Sequence, residues 1–318
     1  MKFPRLAPRI SRLTILVLFL AVLAGCEERA AFVSLEERRP LPEHSLHPDD
    51  RVLTICVGSM ITPQEGYHYY RQLFDHIADR MGVRVRALDP GSYTEVNRML
   101  AEGEVDAAFV CGGPYVEGHK SFGLDLIAAP IINGEASYYS NLIVPADSPA
   151  RTLEDLRGRT FAFTDPLSNS GMLVPASELD KLGESPETFF SSFLYTYAHD
   201  RSIQAVADQM VSGAAVDSLI WDYLAAIHPE LTSKVKVIDR FGPYGTPPVV
   251  TRPDLDPATK ARLQEVLLNT HLHPRGKAIL QGMHIERFVA IEDSRYDSIR
   301  DLNQRFHRSA PSPQENRP

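Results

Sequence analysis

The chain has 318 residues and a formal net charge of −8 at pH 7. Its 43% hydrophobic content is enough to build a buried core, and the length fits one large domain or two ordinary ones. The acidic balance, with no Lys/Arg run after residue 26, argues against a nucleic-acid partner. The cysteines show no C-x-x-C spacing and no H-E-x-x-H occurs, so neither a metal site nor a cofactor is expected.

The first element is a leader. Lys2, Arg5, Arg9 and Arg12 precede an apolar run, Leu13 to Ala24, that is short for a membrane span. Leu23-Ala24-Gly25-Cys26 closes it. Residues 1–25 therefore read as a secretory signal. The ending resembles a bacterial lipobox, which implies cleavage before Cys26 and lipid attachment to its thiol. Such an anchor holds a protein at a membrane without a spanning helix. A plain signal peptide and an uncleaved anchor are the alternatives. The expected location is the periplasm, anchored at the cell envelope. Residues 26–50, rich in Glu, Arg and Pro, read as a flexible tether, and 309–318 as a disordered tail.

Beyond the tether, short apolar runs alternate with helical spacings. Arg51 to Gly58 predicts a strand, Tyr67 to Met81 a helix ended by Gly82, Val83 to Leu88 a strand, and Tyr93 to Glu102 a helix. Val105 to Cys111 predicts a third strand, and Gly112-Gly113-Pro114 a turn. The pattern then resumes: a short helix over Thr152 to Leu156, a strand over Thr160 to Thr164, and a helix over Gly171 to Leu182. Phe193 to Ala198 reads as a strand, Ser202 to Val211 as a helix, Ala214 to Ile220 and Val235 to Ile238 as strands, and Pro257 to Leu268 as a helix. Strand–helix alternation predicts α/β architecture with parallel, doubly wound sheets. Two lobes emerge, with ligands expected where strand C-termini face the cleft. Asn141 to Pro145 and Tyr244 to Val250 are the extended stretches expected to cross between them as a hinge. The predicted division is 51–142 with 248–308 for the first lobe and 143–247 for the second.

Ser168-Asn169-Ser170-Gly171 stands between a predicted strand and a predicted helix. Free N–H groups, the positive end of the helix dipole and two hydroxyls make such a turn an anion site. Ser and Asn are equally the residues that cap helices, and both readings stand at this point. Cys56 and Cys111 sit in strand-like runs, either as a disulfide or as buried thiols.

Several segments in order resemble the phosphate/phosphite/phosphonate-binding proteins of bacterial ABC importers, the phosphonate-binding family. They are Tyr93 with Val96 and Leu100, then Gly103-Glu104-Val105-Asp106; Tyr138-Tyr139-Ser140; Ser168-Asn169-Ser170-Gly171 with Pro175; His199-Asp200 before Ala205-Val206-Ala207; Gly213 to Ser218; and Pro274-Arg275-Gly276-Lys277. The resemblance implies a periplasmic-binding-protein-like fold of type II, each lobe a mostly parallel sheet flanked by helices, with a two-strand hinge. It implies a monomeric binding protein, not an enzyme, that closes on a small phosphorus oxyanion and hands it to an inner-membrane ABC permease.

The implied ligand residues are Tyr93 and Tyr138 on the first lobe, and Ser168, Asn169, Ser170, His199 and Asp217 on the second. Trp221 and Asp222 lie near enough in sequence to compete for a cleft role. An anion held by neutral donors needs no arginine. Asp217 suits such a site by accepting a hydrogen bond from a P–OH group. Three positions depart from the family pattern. Asn169 replaces a Thr, Ser212 stands where an Asp precedes the Gly-Ala pair, and Pro247 takes the place of an Asp that can pair with an aminophosphonate's amine. The expected ligand is accordingly phosphite, phosphate or an alkylphosphonate such as methylphosphonate. Ser170, His199 and Asp217 are also the residue types of a hydrolytic triad, but no G-x-S-x-G elbow is present. A sensor for a signalling partner and a binder of another anion, such as a sulfonate, are the alternative functions.

Overall fold

A computed structural model describes residues 51–58 and 63–309. The stretches expected as leader and tether, the expected lipidation site Cys26, and all but the first residue of the expected tail lie outside these. The described residues form one compact unit built on two mixed sheets. Among the described residues no helix is long and apolar enough to cross a membrane.

In the first sheet β1 (Val52–Val57) pairs in parallel with β2 (Arg84–Leu88) and β3 (Ala107–Phe109). The intervening helices are α1 (Pro63–Met81) and α2 (Tyr93–Ala101). Ser92 caps α2, its Oγ accepting from the Glu95 amide over 3.2 Å. Both faces of β1 are covered, as befits a central parallel strand. Leu53 and Ile55 pack with Leu73, Phe74 and Ile77 of α1, whereas Cys56 packs with Val96 and Leu100 of α2.

The Gly112-Gly113-Pro114 stretch, expected to turn the chain, instead opens a helix, α3 (Gly112–Phe122). Helix propensity argues against two glycines there, but packing overrides it. A side chain at Gly112 would collide with Ile299, and one at Gly113 with the Leu167 carbonyl oxygen. The strand that follows, β4 (Asp125–Ile131), ends the first excursion through this sheet.

In the second sheet β5 (Ser137–Pro145) and β6 (Thr160–Phe163) flank β8 (Gly213–Asp217), with β7 (Ser192–Tyr195) and β9 (Val235–Gly245) at the edges. β6 runs parallel to β7 and β8, whereas β5 is antiparallel to β8 and β9. The helices here are α4 (Val174–Lys181), α5 (Pro186–Phe189), α6 (His199–Ala207), α7 (Ser218–Ile227) and α8 (Pro229–Thr232). The chain then returns to the first sheet. There β10 (Val249–Thr251) inserts antiparallel between β3 and β4, and β11 (Arg287–Val289) adds an edge beyond β4. Helices α9 (Pro257–Asn269), α10 (Pro274–Gly282) and α11 (Asp297–Ser309) complete the unit.

The first crossing differs from expectation. Asn141 to Pro145 lie inside β5, so the chain changes sheets between Ile131 and Ser137. The return falls between Gly245 and Val249, within the expected stretch. The two crossings are bonded to each other. Thr246 donates its amide to Ala136 O over 3.2 Å and its hydroxyl to Pro130 O over 3.1 Å. Cys56 and Cys111 are buried free thiols.

Candidate functional site

The C-terminal ends of β6 and β8 bring the predicted residues together. Asn169–Leu173 forms a π-helical turn that runs into α4. Pro175 explains the widening. It has no N–H for the carbonyl of Gly171 or Ser170, so neither is claimed by the helix. Gly171 O accepts instead from the Thr164 amide (3.2 Å) and Ser170 O from the Ser140 hydroxyl (2.7 Å). The turn is thereby fastened to both β5 and β6. Gly171 permits this approach, because a Cβ there would lie 2.5 Å from Thr164 Cβ.

The two readings of the Ser-Asn-Ser-Gly turn divide between its serines. Ser168 is the cap: its Oγ accepts from the Gly171 amide over 3.0 Å. Ser170 is fully buried, and its Oγ has no partner. Asn169 lies between them, its amide 2.9 Å from the Tyr138 hydroxyl, which is also 3.5 Å from Cys111 Sγ. The Asn169 Oδ1 is without a partner. Exchanging the two amide atoms lets Tyr138 donate to Oδ1 and frees Nδ2 as a donor.

His199 begins α6 and is fully buried. Its Nδ1 lies 3.1 Å from the Asp217 amide and 3.1 Å from the Thr164 hydroxyl. A backbone N–H only donates, so Nδ1 is the acceptor and the ring proton sits on Nε2. Burial pushes the imidazole down to about 3, which keeps it neutral. Nε2–H has no protein partner. This tautomer cannot deprotonate Ser170, and the Asp217 carboxylate is engaged with the Leu219 amide (2.7 Å). Ser170, His199 and Asp217 share the neighbourhood without forming a proton relay.

Asp217 ends β8, caps α7 and is buried. Burial, the leading cause, pushes its carboxyl up to about 7. After burial, its negative charge is among the lesser causes that raise the Tyr93, Tyr138 and Cys111 pKa values. Tyr93, the first residue of α2, reaches this cluster from the first sheet, and its buried hydroxyl has no partner. Tyr138 was expected on the first lobe as well, but it lies on β5 and belongs to the second sheet. The sheet change before Ser137 puts it there.

Three contributors escaped the sequence reading. Asp165 is buried and accepts from the Tyr93 amide (3.0 Å) and the Leu167 amide (2.8 Å), tying the start of α2 to the second sheet. Thr164 orients His199, and Cys111 contacts Tyr138. The signal for Thr164 and Asp165 was available, because both directly follow β6 at its ligand-facing end. Trp221 and Asp222 lie on α7. Asp222 lines an adjacent cavity and is absent from the buried cluster. Among the described residues no group of three or more His, Cys, Asp or Glu side chains is placed to hold a metal ion.

The chain is 28% identical over 266 residues to the phosphonates-binding periplasmic protein of Escherichia coli, covering 82% of this chain and 78% of that one. Among solved structures, a binding-protein component of a phosphonate ABC transporter from Pseudomonas aeruginosa superposes with a TM-score of 0.77. It is 24% identical, with 82% of this chain and 88% of that one covered. A Prochlorococcus marinus protein in complex with methylphosphonate gives a TM-score of 0.73 at 18% identity, over 81% of this chain and 99% of that one. The profile of the phosphonate ABC transporter periplasmic substrate-binding proteins matches residues 55–296, and the chain belongs to that family.

Proposed function

We propose that the protein holds a small phosphorus oxyanion (phosphite, phosphate or an alkylphosphonate) among Tyr93, Tyr138, Ser168, Asn169, Ser170, His199 and Asp217, and delivers it to an ABC permease. One observation carries the reading. The Tyr93 hydroxyl, Ser170 Oγ and His199 Nε2 are buried donors with no partner in the protein. An unpaired buried polar group costs about 1–3 kcal/mol. Three in one cluster make sense when a bound anion supplies the acceptors. Hydrogen bonds to a charged group are worth about 1.5–3 kcal/mol each, so neutral donors suffice without an arginine.

Asp217 fits the same ligand. A carboxyl that titrates near neutrality accepts from a P–OH or donates to a P–O, according to its state. Fully ionised sulfate has no O–H to donate and so matches only the protonated carboxyl. The leader and Cys26 supply the membrane tether, and the binding protein works as a monomer without catalysing a reaction.

Calorimetric titration of the full chain with phosphite, phosphate and methylphosphonate tests the reading, with sulfate as the control. Binding of at least one phosphorus oxyanion in preference to sulfate is expected, weakened about tenfold or more by Ser170→Ala. Failure of all three to bind sinks the proposal. Labelling with a fatty-acid analogue, lost in Cys26→Ala, tests the anchor separately.

A further inference from the structure

Next to the buried donors lies a second feature that they leave unexplained. A cavity of about 130 Å³ opens beside Asp217, walled by Tyr70 and Phe109 from the first sheet's side and Ile220 and Tyr223 of α7, with Met283 and Phe288 closing it. Asp217 belongs to both features. Its amide holds His199, and its side chain lines the cavity. Asp217 thus makes the cavity the neighbour of any ligand that the donors hold.

The wall is mainly apolar, with Asn133, His284 and three tyrosines adding polar groups beside two carboxylates. Its two carboxylates are already occupied. Asp217 accepts from the Leu219 amide; burial raises the Asp222 carboxyl, and the positive charge of Arg240, whose guanidinium stacks 3.8 Å over Tyr139, partly offsets this. Neither is an uncompensated charge asking for a cation. The size is informative too. Phosphite and phosphate have nothing to place there, and a methyl group fills only a corner. An apolar cavity of about 150 Å³ accommodates benzene, so this one takes about four to six carbon atoms.

We infer that the preferred ligand is an organophosphonate with a bulky apolar substituent, of the size of a butyl or phenyl group, whose carbon body occupies the cavity between α1, β3, α7 and β11. The inference rests on the oxyanion reading above and deepens it. Each methylene removed from water contributes roughly fourfold in affinity, so substituents that fill the cavity outrank methyl clearly.

The test is a ranking by calorimetry on the full, unaltered chain with methyl-, n-butyl-, phenyl- and 2-aminoethylphosphonate and inorganic phosphate. Butyl- or phenylphosphonate is expected to bind about tenfold or more tighter than methylphosphonate. Equal or tighter binding of methylphosphonate or phosphate overturns the inference and leaves the oxyanion reading standing. Tightest binding of the amine overturns it in the same way. No binding of any of the five overturns both. Ile220→Trp, which fills the cavity, should lower the phenyl-to-methyl affinity ratio at least tenfold, and Met283→Phe carries the same expectation if the first variant fails to fold. An unchanged ratio in a folded variant places the substituent elsewhere and refutes the subsite.

Discussion

The backbone amide of Asp217 donates to Nδ1 of His199 over 3.1 Å, and this one bond fixes what the histidine can do. It forces the ring proton onto Nε2 and points a neutral donor into a buried space. The donor side of the site is thus set by β8's last amide, not by acid–base equilibrium.

Removing that donor should weaken binding without unfolding the protein. His199→Ala is expected to lower affinity for the bound phosphonate roughly ten- to a hundredfold at pH 7, the range of one hydrogen bond to a charged partner. His199→Gln, which can keep an N–H near the same place, should recover part of the loss. Titration calorimetry on both variants checks this. Equal affinities of wild type and His199→Ala would remove His199 from the site.

Two unpartnered hydroxyls separate binding from stability. Tyr93→Phe and Ser170→Ala each delete a buried oxygen that the unliganded protein leaves without a bond. Each variant should melt at the same temperature as wild type or slightly higher, because an unpaired polar atom is removed. Each should bind ligand about tenfold or more weakly. A parallel loss of melting temperature would mean that these hydroxyls serve the fold.

Closeness of the two sheets' elements can be probed at Gly113. Its backbone is within helical range, so alanine is conformationally acceptable there. A Cβ at that position would nevertheless strike the Leu167 carbonyl oxygen and lie 3.1 Å from the Asn169 amide nitrogen. Both are backbone atoms of the anion turn, which cannot rotate away as a side chain does. Gly113→Ala is expected to hold the two lobes apart, reducing affinity at least tenfold and increasing the radius of gyration measured with ligand by small-angle scattering. Wild-type compactness in the liganded variant would contradict this.

The pH dependence should carry the mark of Asp217. Its folded-state pKa is raised from 3.8 to about 7 by burial, so its contribution to stability is complete below about pH 4 and lost as pH rises through about 7. Asp217→Asn retains a capping side chain for α7, since Asn caps helices as well as Asp does. Relative to wild type the variant should therefore gain melting temperature at pH 8 and show little difference at pH 4. His199 acts oppositely. With its pKa lowered from 6.5 to about 3, its contribution is present above pH 6.5 and lost as pH falls toward 3. Thermal melts of Asp217→Asn, His199→Gln and wild type between pH 4 and 8 separate the two. An identical profile for Asp217→Asn and wild type would show that the carboxyl titrates normally.

Much of the architecture was legible locally. The 3.6-residue spacing of Leu73, Phe74 and Ile77 and the apolar run of β1 fixed their elements, because burial against neighbours selects the same periodicity that the sequence displays. The strand–turn–helix around Ser-Asn-Ser-Gly was legible for a related reason: a strand, a capping stretch and a helix start need no distant partner to be recognised. The start of α3 was not. Gly112 and Gly113 read as a turn by propensity, whereas in the helix they are the residues that leave room for Ile299 and the Leu167 carbonyl, contacts no local pattern announces. Tyr138 was likewise assigned to the wrong sheet, since an extended stretch does not announce which sheet it will join.

By itself the sequence determined the α/β alternation and the family to which the chain belongs, because strand and helix periods and short motifs depend on chemistry within a few neighbouring positions. The tertiary structure decided how those residues divide their work. It made Ser168 a cap and left Ser170 free, placed the proton of His199 on Nε2 through an amide eighteen positions away, and set a mainly apolar cavity beside Asp217. Those outcomes turn on which buried polar atoms find partners and which do not, and partners are assigned only when distant strands are brought together.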